Sequence, residues 1–196
     1  ELWIMEGKLP PESRYPTLSS GTLVHSSLES VGWPDIPGVQ YNGKVNELPL
    51  LDYGQQYDSR NVTGVLTLEP PVPKSEQIYR TLVPKVDEDG NEVAGIRGIN
   101  IRVPVGTFTG WALRKEGFGR GDLSGLNGMF IPFKKTRTER KEAGDPRRSL
   151  QERYGTHEKY VAAVRKAADA LVAEGFLLPG DALAEIEKAE RSNILK

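Results

Sequence analysis

The sequence contains no cysteine. That excludes a disulfide framework and any thiolate metal site, and it suits a cytosolic or an exported bacterial protein equally. Histidine is nearly as scarce, with two in 196 residues. No apolar run approaches the roughly 18 residues of a membrane-spanning helix. A charge excess of one sign is missing too. The 26 basic and 27 acidic residues leave a net charge of −1, so no global field draws the chain to nucleic acid or to an anionic membrane. The charge is only mildly segregated. Residues 134–196 carry 14 Lys/Arg against 11 Asp/Glu, which leaves 12 and 16 for residues 1–133.

The motifs of self-contained catalysis are missing as well. A serine nucleophile on a strand-to-helix turn needs a pattern such as G-x-S-x-G, because only glycine tolerates the sharp turn. Ser124 sits in Gly121-Asp-Leu-Ser-Gly125, where the position two before the serine is Asp122. No S-x-x-K pattern occurs. Neither His25 nor His157 has a local group to orient it as a general base, so both are expected to be surface or loop histidines. His157-Glu158 opens an H-E-x-x-H pattern, but Val161 closes it and the zinc-protease reading fails. Asp87-Glu-Asp-Gly-Asn-Glu92 lacks the alternating ligands of a calcium loop, and turn chemistry explains it. Gly117-Phe-Gly-Arg-Gly121 has no strand–turn–helix context for a phosphate and reads as a connecting loop. The basic stretch from Lys134 to Arg148, Arg147 included, is interrupted by Glu139, Glu142 and Asp145 and reads as a solvated helix surface. Asn61-Val-Thr63 matches a glycosylation acceptor, a three-residue pattern common by chance. No cofactor, metal site or nucleic-acid partner is expected.

What is present divides the chain in two. Residues 1–133 hold most of the 21 glycines and 14 prolines. Proline blocks helix interiors and central strands, so short strands and long ordered loops are expected here. From about Ser19 to Asn61 neither period is sustained, which suggests a segment wrapped over a scaffold outside this sequence. Val62 to Leu68 reads as a strand. Ile78–Val86 and Glu92–Ile96 read as a hairpin closed by Asp87-Glu-Asp-Gly90. Ile99, Ile101, Val103 and Val105 alternate with polar residues and Pro104, the period of a half-buried strand.

After Pro132 helices are expected. Thr136 or Thr138 starts a short one, stopped by Gly144 and Pro146. Ser149-Leu-Gln-Glu152 is a capping box. Thr156 caps a longer helix with a stripe of Tyr160/Val161, Val164, Ala167/Ala168 and Leu171/Val172, ending at Gly175. Asp181 is the expected cap of the last helix, with Leu183, Ile186 and Ala189 on one face. At the other end, the chain starts at Glu1, and Leu2-Trp-Ile-Met5 reads as the last turns of an amphipathic helix whose beginning is missing.

Several blocks resemble one family, the alpha/beta hydrolase domain-containing proteins with a long C-terminal extension. The most specific are Val103 to Arg114 (VPVGTFTGWALR) and Met129 to Tyr154. Pro10-Pro-Glu-Ser-Arg-Tyr-Pro16, Gly21-Thr-Leu-Val24, Ile36-Pro-Gly-Val39, Leu51-Asp-Tyr-Gly54 and Val83 to Arg97 are similar to further blocks of it. The resemblance implies that the serine, its acidic partner and the histidine loop lie upstream of the segment resembling residues 1–24, so no catalytic residue is carried over. It implies ester hydrolysis for a complete protein.

The expected fold class is therefore α+β as a fragment. Residues 1–18 would form the end of the last core helix and a junction. Residues 19–133 would form a loop- and strand-rich cover with a hairpin, and 134–196 a helical region. All of it would pack on an α/β-hydrolase core not present in this chain. The expected partners are that N-terminal catalytic half and a small-molecule ester. Trp33, Tyr53 and Trp111, aromatics in glycine-flanked segments, are the candidates for a substrate-pocket wall. Two alternatives stand beside this reading: an independent non-catalytic binding module, and an autonomous enzyme that uses His25 with a distant Asp and Ser.

Overall fold

A computed structural model describes residues 2–61, 66–115 and 117–196. The elements run α1 (Leu2–Glu6), β1 (Leu23–His25), α2 (Leu28–Val31), β2 (Leu48–Asp52), β3 (Val72–Tyr79) and β4 (Leu82–Pro84). Then follow α3 (Ile99–Arg102), β5 (Gly106–Thr109), β6 (Met129–Pro132), α4 (Arg137–Glu142), α5 (Leu150–Tyr154), α6 (His157–Ala173) and α7 (Pro179–Arg191). The strands pair β1 with β4, β2 with β3 and β5 with β6, each antiparallel and each a two-stranded sheet. No parallel strand pair occurs among the described residues. The class is mixed, α+β.

The helical end follows its local signals. Thr136 caps α4 and Ser149 caps α5, each in a reciprocal capping box with a glutamate three residues on. Thr156 caps α6 through Lys159 N. The stripe of α6 buries Val164, Ala167 and Ala168 against Ala182, Ile186 and Ala189 of α7, and Leu171 on the same helix is buried as well. Each large apolar side chain buried there contributes about 1.5–3 kcal/mol relative to exposure. The start of α7 differs from the expectation: Leu178 is its N-cap residue, Pro179 occupies the first turn, and Asp181 lies inside that turn. Proline at the first helical position sacrifices no hydrogen bond and presets φ, which replaces a side-chain cap. Leu183 is 61% exposed and does not share the buried face.

The alternating segment 99–105 is not a strand. Gly98 opens α3 instead, and Ile99 and Val103, four apart, both lie against the α6–α7 core. Spacing of four satisfies a helix turn as well as a strand, and the free helical face decided between them. The expected hairpin around Asp87–Gly90 keeps its turn, with Gly90 at φ 78°, but shrinks to one bridge between Val86 and Glu92. Its first arm is drawn elsewhere: residues up to Tyr79 pair with β2, and Leu82–Pro84 pairs with β1. For the strand expected at Val62–Leu68, residues 62–65 lie outside the described residues, as does part of the Asn61–Thr63 acceptor, and Leu66–Leu68 is irregular.

The aperiodic stretch 19–61 builds a core of its own. Val31, Trp33 and Ile36 are buried, with Val24, Tyr41, Val83, Val86, Trp111 and Ile131 packed around them. Ser27 caps α2, and Gly32 ends it at φ 75°. Between this cluster and the helices runs a buried polar seam. Asn91, fully buried, donates through Nδ2 to Gly106 O (3.1 Å) and accepts at Oδ1 from Phe108 N (2.9 Å). Arg147 reaches Thr107 Oγ1 (2.8 Å) and Ile131 O (3.0 Å). It is 3% exposed, which corrects the expectation of a solvated basic surface at that position. A guanidinium in a dry site needs its N–H groups directed at acceptors, and here Thr107, Ile131 and Pro132 at the open end of the β5–β6 pair and the Asp145 carboxylate supply them.

A candidate aromatic cleft beside a buried polar seam

Three aromatic rings converge at the edge of the smaller core. The centroids of Trp33 and Trp111 are 5.4 Å apart, Trp33 and Tyr41 5.8 Å, and Tyr41 and Trp111 6.1 Å. The three rings line a cleft of about 190 Å³ that also touches Lys44, Phe108 and Gly110. Trp33 is placed by α2, whose left-handed Gly32 cap turns the chain inward. Trp111 follows β5, and its carbonyl accepts from Thr109 Oγ1 (2.5 Å). Tyr41 donates its hydroxyl to Ser26 O (2.9 Å), and burial raises its pKa. The indole Nε1 of Trp33 is buried without a hydrogen-bond partner among the described residues.

The cleft brings together two of the three aromatics expected to form a pocket wall. Tyr53 is elsewhere: it follows β2 and stacks on Tyr57, with centroids 4.5 Å apart. Tyr41 is the member that sequence reading missed. It sits in an aperiodic segment, and only the return of residues 105–111 past residues 31–41 gives it neighbours. Lys44, on the cleft rim, is held by Asp122 Oδ1 (2.5 Å) and Gly121 O (3.1 Å). The Lys44 hydrogen bond lowers the Asp122 pKa.

Neither histidine is set up as a base. His25 is exposed, and its Nδ1 accepts from Ser27 N at 3.3 Å. His157 is half-buried, with Nδ1 at 2.8 Å from Ile194 O and Nε2 at 3.2 Å from Glu190 O, so it anchors the segment after α7. No carboxylate orients either ring among the described hydrogen bonds, and Ser124 lies in a loop. The arrangement can bind an apolar group; among the described residues it holds no nucleophile–base pair. Among the described residues no group of three or more His, Cys, Asp or Glu side chains is placed to hold a metal ion. No described helix is long and apolar enough to cross a membrane.

The electrostatics of the seam are structural. Burial pushes the Asp145 pKa up, but the hydrogen bonds and charge of Arg147 outweigh it and hold the carboxyl below its usual range. At Asp89 burial wins, and the pKa is raised although Arg153 pairs with it. Both guanidinium groups also lie against Phe133, at 5.1 Å for Arg147 and 4.2 Å for Arg153.

A family model described as alpha/beta hydrolase domain matches residues 1–187. No curated protein matches the chain, and no solved structure does.

Proposed function

The chain belongs to the alpha/beta hydrolase domain family, and on that premise we propose that it is the C-terminal, triad-free part of a serine-type carboxylic-ester hydrolase. It supplies scaffold and one wall of the substrate pocket. Its partner is the catalytic half that carries the nucleophile elbow and the histidine loop. Trp33 and Trp111, with Tyr41, are the wall.

One observation carries this reading. A chain matched to a hydrolase family over residues 1–187 holds no G-x-S-x-G elbow, and its described sheets are three antiparallel pairs. The hydrolase chemistry needs an elbow at the top of a strand leading into a helix, and in this reading other residues supply that platform. Exposed apolar side chains support a covered surface. Trp3, Ile4 and Met5 on α1 are 62%, 86% and 75% exposed, and Tyr79 on β3 is 62% exposed. In the complete protein the serine attacks the ester carbonyl, histidine takes its proton, and backbone N–H groups hold the oxyanion. The aromatic wall holds the apolar part of the ester, which lowers KM and orients the carbonyl.

The test is hydrolysis of p-nitrophenyl acetate. This chain alone is expected to be inactive, and the complete reading frame active through a serine upstream of Glu1. Turnover by this chain through one of its own residues, His25 included, overturns the proposal. A second reading, an independent binding module, is favoured by the buried seam and the α6–α7 core. Cooperative unfolding of the chain alone, with no gain in stability when the upstream half is added, decides for it.

A further inference from the structure

A second depression shares no lining residue with the aromatic cleft. It is an open groove of about 990 Å³ between the segment Gly38–Gln40, the loop that starts at Leu113, and β6. Its floor is apolar: Val39, Leu113, Met129 and Ile131 line it. Its rim is cationic: Arg114, Lys115 and Arg120 line the same groove, and all three are exposed. None of the three makes an ion pair among the described residues. Asp122, whose carboxyl the charge of Arg114 also influences, is held by Lys44 at 2.5 Å. Glu116, next in the chain to Lys115, lies outside the described residues.

The loop is held in shape. Arg114 N donates to Asp122 O (2.9 Å), Gly121 N to Arg114 O (2.9 Å), and Leu113 bridges Leu123. Gly119 at φ 73° and Gly121 at φ 79° let it turn tightly enough to keep Arg114 and Arg120 on one rim.

We propose that this groove binds a single-chain amphiphile with a carboxylate head. The alkyl chain lies on Val39, Leu113, Met129 and Ile131, and the head is held by Arg114, Lys115 and Arg120. Charge complementarity selects the head. Guanidinium forks match the two oxygens of a carboxylate, and the three cations on the rim outnumber Asp122, the carboxylate described beside Arg114. The volume falls in the range of small-molecule sites, whose walls are mostly apolar with a few polar groups that fix orientation. An acid of this kind is also what hydrolysis of a long-chain ester releases. That link rests on the proposed function, whereas the binding itself does not.

Calorimetric titration of the chain with dodecanoate, kept below its micelle range, tests the proposal. Saturable one-to-one binding is expected. Dodecyl maltoside, which lacks the charge, should bind at least roughly tenfold more weakly, the factor of one lost charge-assisted hydrogen bond; acetate, which keeps the charge but lacks the chain, should also bind at least roughly tenfold more weakly because it buries almost no apolar surface. The variant Arg114→Gln/Lys115→Gln/Arg120→Gln should lose about the same factor with an unchanged melting temperature, since all three side chains are exposed. If that variant melts early, the head-group series on the natural chain decides alone. Equal affinity for the maltoside, or no saturation with dodecanoate, overturns the proposal. So does binding to phosphatidylglycerol vesicles without binding to monomeric dodecanoate. That last result would assign the patch to a lipid surface reached by Phe118 and Leu126, which are 96% and 104% exposed on the same loop. An inactive chain in the ester assay leaves this test untouched.

Discussion

Arg147 grips Asp145 with two parallel hydrogen bonds, Nε to Oδ1 at 2.9 Å and Nη2 to Oδ2 at 2.7 Å. The two residues are separated by Pro146 alone, and both side chains are almost fully buried. The same guanidinium reaches Thr107 and the carbonyls of Ile131 and Pro132. It therefore ties the β5–β6 hairpin to the helical end. Replacing Arg147 with Ala leaves a buried carboxylate without its cation and should cost about 3–5 kcal/mol. Urea denaturation followed by circular dichroism measures it. The double variant Asp145→Leu/Arg147→Met should be less damaging than Arg147→Ala, because no uncompensated charge remains. A double variant as unstable as the single one removes the ion-pair account.

Glu174 supplies a pH dependence with a definite sign. Arg102 binds it through Nη1 (2.9 Å) and Nη2 (2.7 Å), Arg14 adds a third contact (2.8 Å), and its pKa falls to about 2. The folded-state value lies below the unfolded one, so the unfolded chain binds the proton more readily. The stabilisation is fully present above pH about 5 and is lost as pH falls toward about 2. The side chain is 29% exposed, so salt weakens the effect. Thermal melts across this window should fall less steeply for Glu174→Gln than for the natural chain. Parallel curves would show that Glu174 does not contribute.

Ser149 closes a capping box inside the protein. Its Oγ accepts from Glu152 N (3.3 Å) and donates to Glu152 Oε2 (2.7 Å), and the residue is fully buried. Glu152 is held well below the usual carboxylate range, first by Arg140 and then by Ser149. Ser149→Ala should cost about 1 kcal/mol, within a range of roughly 0.5–2. Thr136→Ala at the more exposed α4 should cost less. Equilibrium unfolding of the two variants compares them directly, and the reverse order would contradict the burial argument.

Gly106 is required by close approach. A Cβ there would stand 2.5 Å from Phe130 Cε2 and 2.6 Å from Ile131 O on the paired strand. The ring can move, but the backbone oxygen cannot without breaking the β5–β6 register. Gly106→Ala should cost about 1–3 kcal/mol, the range for overpacking. Faster hydrogen exchange of the β5–β6 amides should accompany the loss. Exchange unchanged from the natural chain would mean that the strands absorb the methyl group.

For the complete enzyme, Trp111→Ala should raise KM for an apolar ester roughly tenfold, about the effect of one lost aromatic contact of 1–1.5 kcal/mol. Tyr53→Ala, whose ring packs on Tyr57 and does not line the cleft, should leave KM unchanged. Steady-state kinetics on both variants check the wall. Equal effects, or none at Trp111, remove the cleft from substrate binding.

Much of the helical end was legible because its signals are local. A hydroxyl three residues before a glutamate, or a stripe at helical spacing before Gly175, acts over one or two turns and needs no distant partner. The β-rich part was less legible for the same reason reversed. Ile78–Val86 has strand character, but which strand it joins depends on residues 23–25 and 48–52, far away in sequence. Ile99 and Val103 show the ambiguity at its sharpest, since a spacing of four fits both periods until the α6–α7 surface is in place. At the cleft, Trp33 and Trp111 stood out as aromatics in irregular segments, but nothing local separated them from Tyr53 or pointed to Tyr41.

The amino-acid sequence by itself settled the negatives and most caps: no disulfide, no nucleophile elbow, helices begun by Ser149 and Thr156, with the structure choosing Thr136 over Thr138 for the helix before them. Composition and short-range hydrogen bonding are properties of neighbouring residues, so they can be read in order along the chain. Tertiary structure alone decided which aromatics meet and which charges are dry. Arg147 looks like any member of a basic run until β5 and β6 close over it, and Trp33 gains its ring partners only when residues 41 and 111 return. Those contacts join residues tens of positions apart, and their energies exist only once the chain has folded and excluded water.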